Sequence, residues 1–130
     1  MKHLNYQTLQ DLNYDGYLLN EAPERVLQFG EGNFMRAFVD FFIDKMNETA
    51  NFNSKVVLVQ PIPKFTTPDV GDFINEQEGL YTLYLRGSEN GQEVSSKRVI
   101  SCISRCLNAY SDYEAVMECA KNPELRFITC

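Results

Sequence analysis

The stretch Arg25-Val26-Leu27-Gln28-Phe29-Gly30-Glu31-Gly32-Asn33-Phe34-Met35-Arg36-Ala37-Phe38 constrains this chain more than any other. A short apolar run ends in Gly-x-Gly, and an amphipathic helical pattern begins at once. A strand that turns sharply into a helix presents unpaired backbone N–H groups and the positive end of the helix dipole, which together attract a phosphate. Glycine at both turn positions allows a tight bend and a close approach by a pyrophosphate. Val26, Leu27 and Phe29 suit a buried parallel strand. Phe34, Ala37, Phe38, Phe41 and Phe42 recur at helical spacing, with Met46 extending the stripe. A second apolar run, Lys55 to Gln60, follows at the distance of the next strand of a βαβ unit. The stretch reads as a dinucleotide-binding unit, and a bare structural turn is the alternative for the glycine pair taken alone.

The rest of the chain fits an α/β fold with one departure. Residues 1–24 read as an N-terminal surface arm with a short helical turn near Thr8 to Leu12. Residues 25–130 read as a partial NAD-binding Rossmann domain. The first strand spans about 25–29, helix A about 33–48 and the second strand about 55–60. Residues 61–79 form a long loop, with a helical turn near Asp72 to Glu76. Leu80 to Arg86 alternates as a strand, Gly87 to Gly91 is a turn with Asn90-Gly91 as its strongest signal, and Glu93 to Leu107 reads as one long strand. Its apolar positions change phase, which predicts a bulge near Val99-Ile100. An antiparallel hairpin over about 80–107 is thus inserted after the second parallel strand. Ser111-Asp112-Tyr113-Glu114 predicts a capping box and a helix over about 112–121, ended by Asn122-Pro123. Arg126 to Cys130 begins a further strand. The chain stops on what reads as an interior strand, so the expectation is the first part of a longer protein.

Composition narrows the function classes. The 130 residues carry a net charge of −6, which argues against nucleic acid and against anionic membrane surfaces. Neither a membrane-length apolar run nor a secretory h-region is present. The four cysteines, Cys102, Cys106, Cys119 and Cys130, form no C-x-x-C pair, and the one histidine is His3. Reduced thiols in the cytoplasm, with no metal site, are the expectation. No Cys–His or Ser–His–Asp set offers a triad.

Gly30-Glu31-Gly32-Asn33-Phe34-Met35-Arg36-Ala37-Phe38-Val39-Asp40 resembles the N-terminal signature of the mannitol dehydrogenase family, the polyol-specific long-chain dehydrogenases. That signature is closer to G-x-G-x-F-x-R than to G-x-G-x-x-G, so Met35 is no departure. Val57 to Pro61, Gly79 to Gly87, Ile103-Ser104-Arg105 and Asn122 to Thr129 point to one branch of it. The resemblance runs from about Arg25 to Cys130 and implies NAD as cofactor and a sugar acid as substrate, with D-tagaturonate and D-altronate interconverted in hexuronate breakdown. It also implies a mostly helical C-terminal domain carrying the catalytic lysine, Asn and His residues. None of that domain lies in these residues, so no catalytic residue is expected here. A noncatalytic nucleotide-binding or sensor domain is the alternative, and an interaction module whose turn binds nothing is a third.

The candidate cofactor-binding residues are Gly30, Glu31, Gly32, Asn33, Phe34, Arg36 and Gln60. Gly30 and Gly32 form the pyrophosphate turn, and Asn33 and Phe34 begin the helix with N–H groups toward the phosphates. Phe34 reads equally as core. Arg36 is poorly placed for the helix dipole, so it answers either an anionic ligand or a surface salt bridge. Glu31 should point to solvent. Gln60 ends the second strand, where an acidic residue commonly holds the adenosine ribose. It can bond a 2′-hydroxyl without repelling a 2′-phosphate, and Lys64 could attract one, so NAD should be favoured over NADP only modestly. The alternative for Gln60 is a plain strand end. Phe38, Phe41 and Phe42 read as core. Faces meant for the C-terminal domain are left uncovered, which predicts self-association.

Overall fold

The computed structural model describes residues 3–130. In chain order it contains α1 (Tyr6–Asp11), β1 (Glu24–Phe29), α2 (Asn33–Ala37), α3 (Val39–Ala50), β2 (Lys55–Gln60), α4 (Val70–Glu76), β3 (Tyr81–Glu89), β4 (Gln92–Ile100), β5 (Ile103–Asn108), α5 (Tyr113–Ala120) and β6 (Phe127–Thr129). Four strands form one parallel sheet in the order β5-β2-β1-β6. The chain runs outward from β1 through β2 to β5, then returns to the other side of β1. The strand order therefore reverses between β1 and β6, the place where open α/β sheets bind ligands.

All six residues of β2 are buried. Alternate side chains of a strand face opposite ways, and the core divides accordingly. Val26, Val56, Leu58 and Ile103 pack with Ile43 of α3 and Ile74 of α4. Leu27, Val57, Val59 and Leu107 pack with Cys119 and Val116 of α5. Helices thus cover both faces, which is why Val56 to Val59 in the middle of β2 read as an unbroken apolar run. β3 and β4 form a separate antiparallel pair, so the fold is the expected α/β sheet with an inserted hairpin.

Three boundaries differ from expectation, each for a local reason. The hairpin ends at Ile100, and 103–108 is the third parallel strand rather than the end of a long hairpin strand. The change of apolar phase marks this exit from one sheet into another. Ser101 and Cys102 make the crossing: the Ser101 N–H donates to Asp44 Oδ1 at 3.0 Å, and the Val56 N–H to the Cys102 carbonyl at 2.8 Å. The hairpin turn is shorter than predicted. Pairing continues to Glu89 and Gln92, leaving Asn90 (φ 53°) and Gly91 (φ 79°) as a two-residue turn with the left-handed pair that a tight hairpin needs. The predicted capping box at Ser111–Glu114 is not formed. Asp112 is the N-cap and makes no side-chain cap bond; its carboxylate accepts the Asn108 N–H at 2.8 Å instead.

Of the arm, Met1 and Lys2 lie outside the described residues. The remainder is packed rather than loose. Leu9 of α1 is buried against Leu80 and Val99, with Leu4, Tyr6, Tyr14 and Leu18 around them. Lys55 Nζ, buried at the start of β2, donates to the carbonyls of Leu19 (2.6 Å) and Ser101, and the Leu19 N–H donates to Ser101 Oγ at 2.9 Å.

Gly79 links α4 to β3 with φ +80°, and a Cβ there would stand 2.1 Å from the Ile103 carbonyl oxygen. Backbone must move to admit it. Gly79→Ala should cost about 3 kcal/mol or more in urea unfolding, from strain and overlap together. Gly87→Ala, where a Cβ meets nothing within 4 Å, should stay within about 0.5 kcal/mol of the parent.

Candidate functional site

β1 delivers its C-terminal end into a turn that is held on both sides. The Gly30 N–H donates to the Val59 carbonyl at 2.8 Å, so the turn is tied to β2 one residue before Gln60. Gly30 has φ +128°, a backbone region open essentially to glycine alone. Gly32 is different. Its backbone (φ −66°, ψ 165°) is ordinary extended chain, and it is the N-cap of α2 without any side-chain cap bond. A Cβ at Gly32 would meet nothing within 4 Å. The bend therefore requires glycine at Gly30 only, and Gly32 leaves open room in front of the helix start. The Arg36 N–H reaches the Gly32 carbonyl at 3.2 Å, opening the helical ladder. The N–H groups ahead of it have no intrahelical acceptor.

Arg36 is bonded to the turn itself, not to a surface carboxylate. Its Nε donates to the Glu31 carbonyl at 2.8 Å and its Nη2 to Asn33 Oδ1 at 2.6 Å. The guanidinium lies 5.5 Å from the centre of the Tyr81 ring, and Tyr81 Oη donates to the Arg36 carbonyl at 2.7 Å. A cation at a helix start opposes the dipole, but here it covers a carbonyl that would otherwise face an incoming anion.

The aromatic stripe faces outward. Phe34 is 73% exposed, Phe38 and Phe42 are each 49% exposed, and only Phe41 packs against the core. Phe34 stacks on Phe38 at 5.4 Å, and Phe38 meets Phe42 edge-on at 4.9 Å. The predicted core assignment of Phe38 and Phe42 is thus overturned. The chain breaks helical hydrogen bonding at Phe38 (φ −118°, ψ −75°), and α3 turns Asp40, Ile43, Asp44 and Asn47 inward. Those polar groups have partners: Arg98 donates to Asp44 Oδ2 at 2.8 Å, and Asn47 exchanges two bonds with Ser54.

Gln60, buried at the end of β2, turns toward α4. Its Nε2 donates to Asp69 Oδ2 at 3.1 Å. Asp69 caps α4 in a reciprocal box with Asp72, and Lys64 lies 2.7 Å from Asp72 and 3.7 Å from Asp69. The strand end that lacks a carboxylate therefore has one delivered from the loop, and Lys64 is engaged by two. Glu31 is half-buried rather than directed wholly to solvent. Burial pushes the nearby Cys106 thiol up to about 12, and the charges of Glu31, Asp69 and Asp112 add to the shift. These carboxylates give the C-terminal edge of β1, β2 and β5 an acidic character.

Behind the turn lies a buried pair that sequence reading missed. Gln28 Nε2 donates to the Gly30 carbonyl and to Asp40 Oδ2, each at 3.1 Å. Gln28 Oε1 and Asp40 Oδ1 are buried without a partner. Burial raises the Asp40 carboxyl to about 7, against the Gln28 bond and the Arg36 charge, with Asp44 adding to the rise. The available signal was a glutamine inside an otherwise apolar strand. Asp69 and Tyr81 were also missed, because loop and hairpin bring them to the turn from outside the βαβ pattern.

Among the described residues no group of three or more His, Cys, Asp or Glu side chains is placed to hold a metal, and no helix is long and apolar enough to cross a membrane. A doubly covered parallel sheet, a reversal of strand order beside β1 and a glycine turn at that point define a Rossmann-type domain. Residues 24–130 match the mannitol dehydrogenase Rossmann domain, and the chain belongs to that family. It is 47% identical over 120 residues to an altronate oxidoreductase of Phocaeicola vulgatus and 45% identical over 123 residues to that of Bacillus subtilis. Each alignment covers 92% of this chain and 24% of the relative, so the chain spans about a quarter of their length. Among solved structures it is similar to Pseudomonas fluorescens mannitol 2-dehydrogenase in ternary complex with NAD and D-mannitol, with a TM-score of 0.76 and 26% identity over 99% of this chain and 26% of that one. A substrate-free D-sorbitol dehydrogenase shares the fold, with a TM-score of 0.78 over 96% of this chain and 26% of that one.

The two turn glycines should separate in unfolding experiments. Gly30→Ala places a side chain at φ +128° and should cost about 1–3 kcal/mol of stability. Gly32→Ala strains nothing and should change stability by less than about 0.5 kcal/mol.

Proposed function

We propose that this chain is the cofactor-binding part of an NAD-dependent oxidoreductase of the tagaturonate reductase (altronate oxidoreductase) type, which interconverts D-tagaturonate and D-altronate in hexuronate catabolism. The observation that carries the reading is the open space in front of Gly32, at the uncapped start of α2 and at the point where strand order reverses. A pyrophosphate fits there: the first N–H groups of α2 would bond it, Gly32 gives it room, and Arg36 covers the Glu31 carbonyl. Gly30, Glu31, Gly32, Asn33, Phe34 and Arg36 make up this half of the site. NAD supplies a hydride acceptor or donor when bound; these residues bind and orient it. Residues 25–130 form the larger part of the cofactor domain, and the described arm residues before β1 pack against it. The four free cysteines suit a reducing cytoplasm.

Proton transfer falls to residues beyond these. A domain with the chemistry of the family's C-terminal part would cover the stripe Phe34, Phe38, Phe42 and Met46, and without it the stripe drives self-association of the chain. Amides of Gly30 to Arg36 should shift when the chain is titrated with millimolar NAD, and Gly32→Val should abolish the shift. No shift in the parent chain overturns the site. NADH oxidation with D-tagaturonate should be absent for the 130 residues alone. It should appear when they replace the first quarter of the Bacillus subtilis relative. A chimera that binds NAD without turnover favours the noncatalytic nucleotide-binding reading.

The acidic edge sharpens the cofactor choice. With Gln60 at the ribose, its bond to Asp69 would bring a carboxylate there, and Lys64 is already engaged by Asp69 and Asp72, which supports stronger discrimination against NADP than Gln60 alone implies. Asp69→Asn keeps an acceptor for the cap and removes the charge. It should narrow the NAD-to-NADP ratio of dissociation constants about five- to tenfold, by loss of like-charge repulsion. An unchanged ratio would place the ribose elsewhere.

A further inference from the structure

We propose that Asp40 is a positioning residue that carries a proton: as a neutral carboxylic acid it pairs with Gln28 through two hydrogen bonds, and the pair holds the Gly30 turn in its binding shape. The proposal rests on the cofactor reading for its consequence, and on the buried pair for its substance.

The hydrogen-bond count leads to the proton. Gln28 Nε2 has two hydrogens, and both are placed, one on the Gly30 carbonyl and one on Asp40 Oδ2. Flipping the amide would set its oxygen against two acceptors, so the orientation is determined. Two buried oxygens then remain without a partner, Gln28 Oε1 and Asp40 Oδ1, one from each member of the same pair. A carboxylate can give neither a donor. One proton on Asp40 Oδ1 supplies Oε1 with a donor and gives Oδ1 a role, closing the ring that an acid and an amide form together. Leaving both oxygens unpaired in a fully buried place would be costly. The cost falls away with the proton in place.

The groups facing Asp40 come from five elements. Gln28 of β1 bonds it, and Arg36 of α2 favours its ionised form. Asp44, one turn on along α3, disfavours the ionised form and is itself paired with Arg98 of β4. Cys102, between β4 and β5, donates its Sγ–H to the Asp40 carbonyl at 3.2 Å, and Tyr81 of β3 lies close enough for the Asp40 charge to act on its phenol. Burial outweighs Arg36, so the folded protein holds this proton to a higher pH than an open chain does. The sign follows. Between the ordinary 3.8 and about 7, folding retains a proton that the unfolded chain has released. The acid–amide pair is therefore intact below that window's upper limit and is lost as pH rises through it. Above it, a bare carboxylate faces the Gln28 oxygen, and the bond from Gln28 to the Gly30 carbonyl weakens with it.

Carbon-detected NMR of the aspartate carboxyls, with amide shifts of Gly30 and Glu31, tests this in the chain without any ligand. The Asp40 carboxyl and the Gly30 amide should share one inflection between pH 6 and 8. Titration of Asp40 below pH 5, or a Gly30 amide that ignores it, overturns the proposal. Asp40→Asn, whose amide can donate to Gln28 Oε1 and accept from Nε2, should hold the Gly30 amide at its low-pH position throughout. Asp40→Ala should displace it at every pH. If Asp40→Asn fails to fold, the parent titration still decides. NAD affinity should fall about three- to tenfold from pH 6 to 8.5 in the parent and stay level in Asp40→Asn; an equal fall in both overturns the link to the turn. Failure of NAD to bind at any pH would sink the cofactor reading alone, since the turn titration is measured without it.

Discussion

Strand β2 has no face to offer to water. Its side chains point alternately to two helical layers, and every one of them is buried. A strand in that position cannot be stable until both layers are in place, because at roughly 25 cal/mol per Å² of apolar surface its burial is the main favourable contribution to the sheet. The layers in turn decide where the ends of β1 and β2 emerge. Gly30 takes its N–H to Val59, and Gln60 follows directly, so the glycine turn and the end of β2 are joined by a backbone bond. Lys55 shows the same constraint at the opposite end of the strand. Buried at the first position, its Nζ donates to Leu19, Ser101 and Tyr6, which draws the arm and the β4–β5 crossing onto the sheet. Burial lowers its pKa, and the carbonyl oxygens offset the lost hydration.

The inserted hairpin is held at its base by apolar packing, where Tyr81 and Ile100 join the core, and beyond that by charge. Arg98 bonds the buried Asp44 and the exposed Glu48, two residues one turn apart on α3. Removing one partner of such a buried pair leaves an uncompensated charge at a cost of about 3–5 kcal/mol. The clamp explains why α3 presents a polar face inward, and why its aromatic face is left outside. A helix can bury only one side against a sheet this narrow. Where that side is committed to Asp40, Asp44 and Asn47, Phe38 and Phe42 have nowhere to go but the surface.

This is also where the sequence was least legible. Strands β1, β2 and β6, the glycine turn and the helix after β2's loop could be read locally, since each depends on composition within a few residues. The orientation of α3 could not, because an aromatic stripe outweighs three polar residues in any periodicity argument, and the partners of the central one, Asp44, lie 54 and 57 positions away in the chain. The same holds for the β4–β5 boundary. Both segments favour extended backbone, and only their pairing, β4 with β3 and β5 with β2, tells one sheet from the other. At the site, Gly30, Gly32 and Gln60 were visible as a motif with a strand end. Asp69 was hidden because it reaches Gln60 from a proline-rich loop, and Gln28 with Asp40 because a buried acid–amide pair has no sequence signature.

The electrostatics of the C-terminal edge now make a consistent arrangement. An acidic chain with a net charge of −6 can bind a diphosphate only if the attraction is local, and helix N–H groups act within a turn of the helix end. Arg36 donates to the Glu31 carbonyl and to Asn33 rather than reaching outward, so the turn presents no free guanidinium. On the same edge, Asp69 and Glu31 present the opposite sign, both acting on the Cys106 thiol. A ligand with two phosphates at one end and an unphosphorylated ribose at the other suits both parts at once. One with a third phosphate on that ribose suits only the first. The charge pattern, more than any single residue, is what would distinguish the two cofactors, and it is assembled from β1, the α4 cap and the loop between β2 and α4.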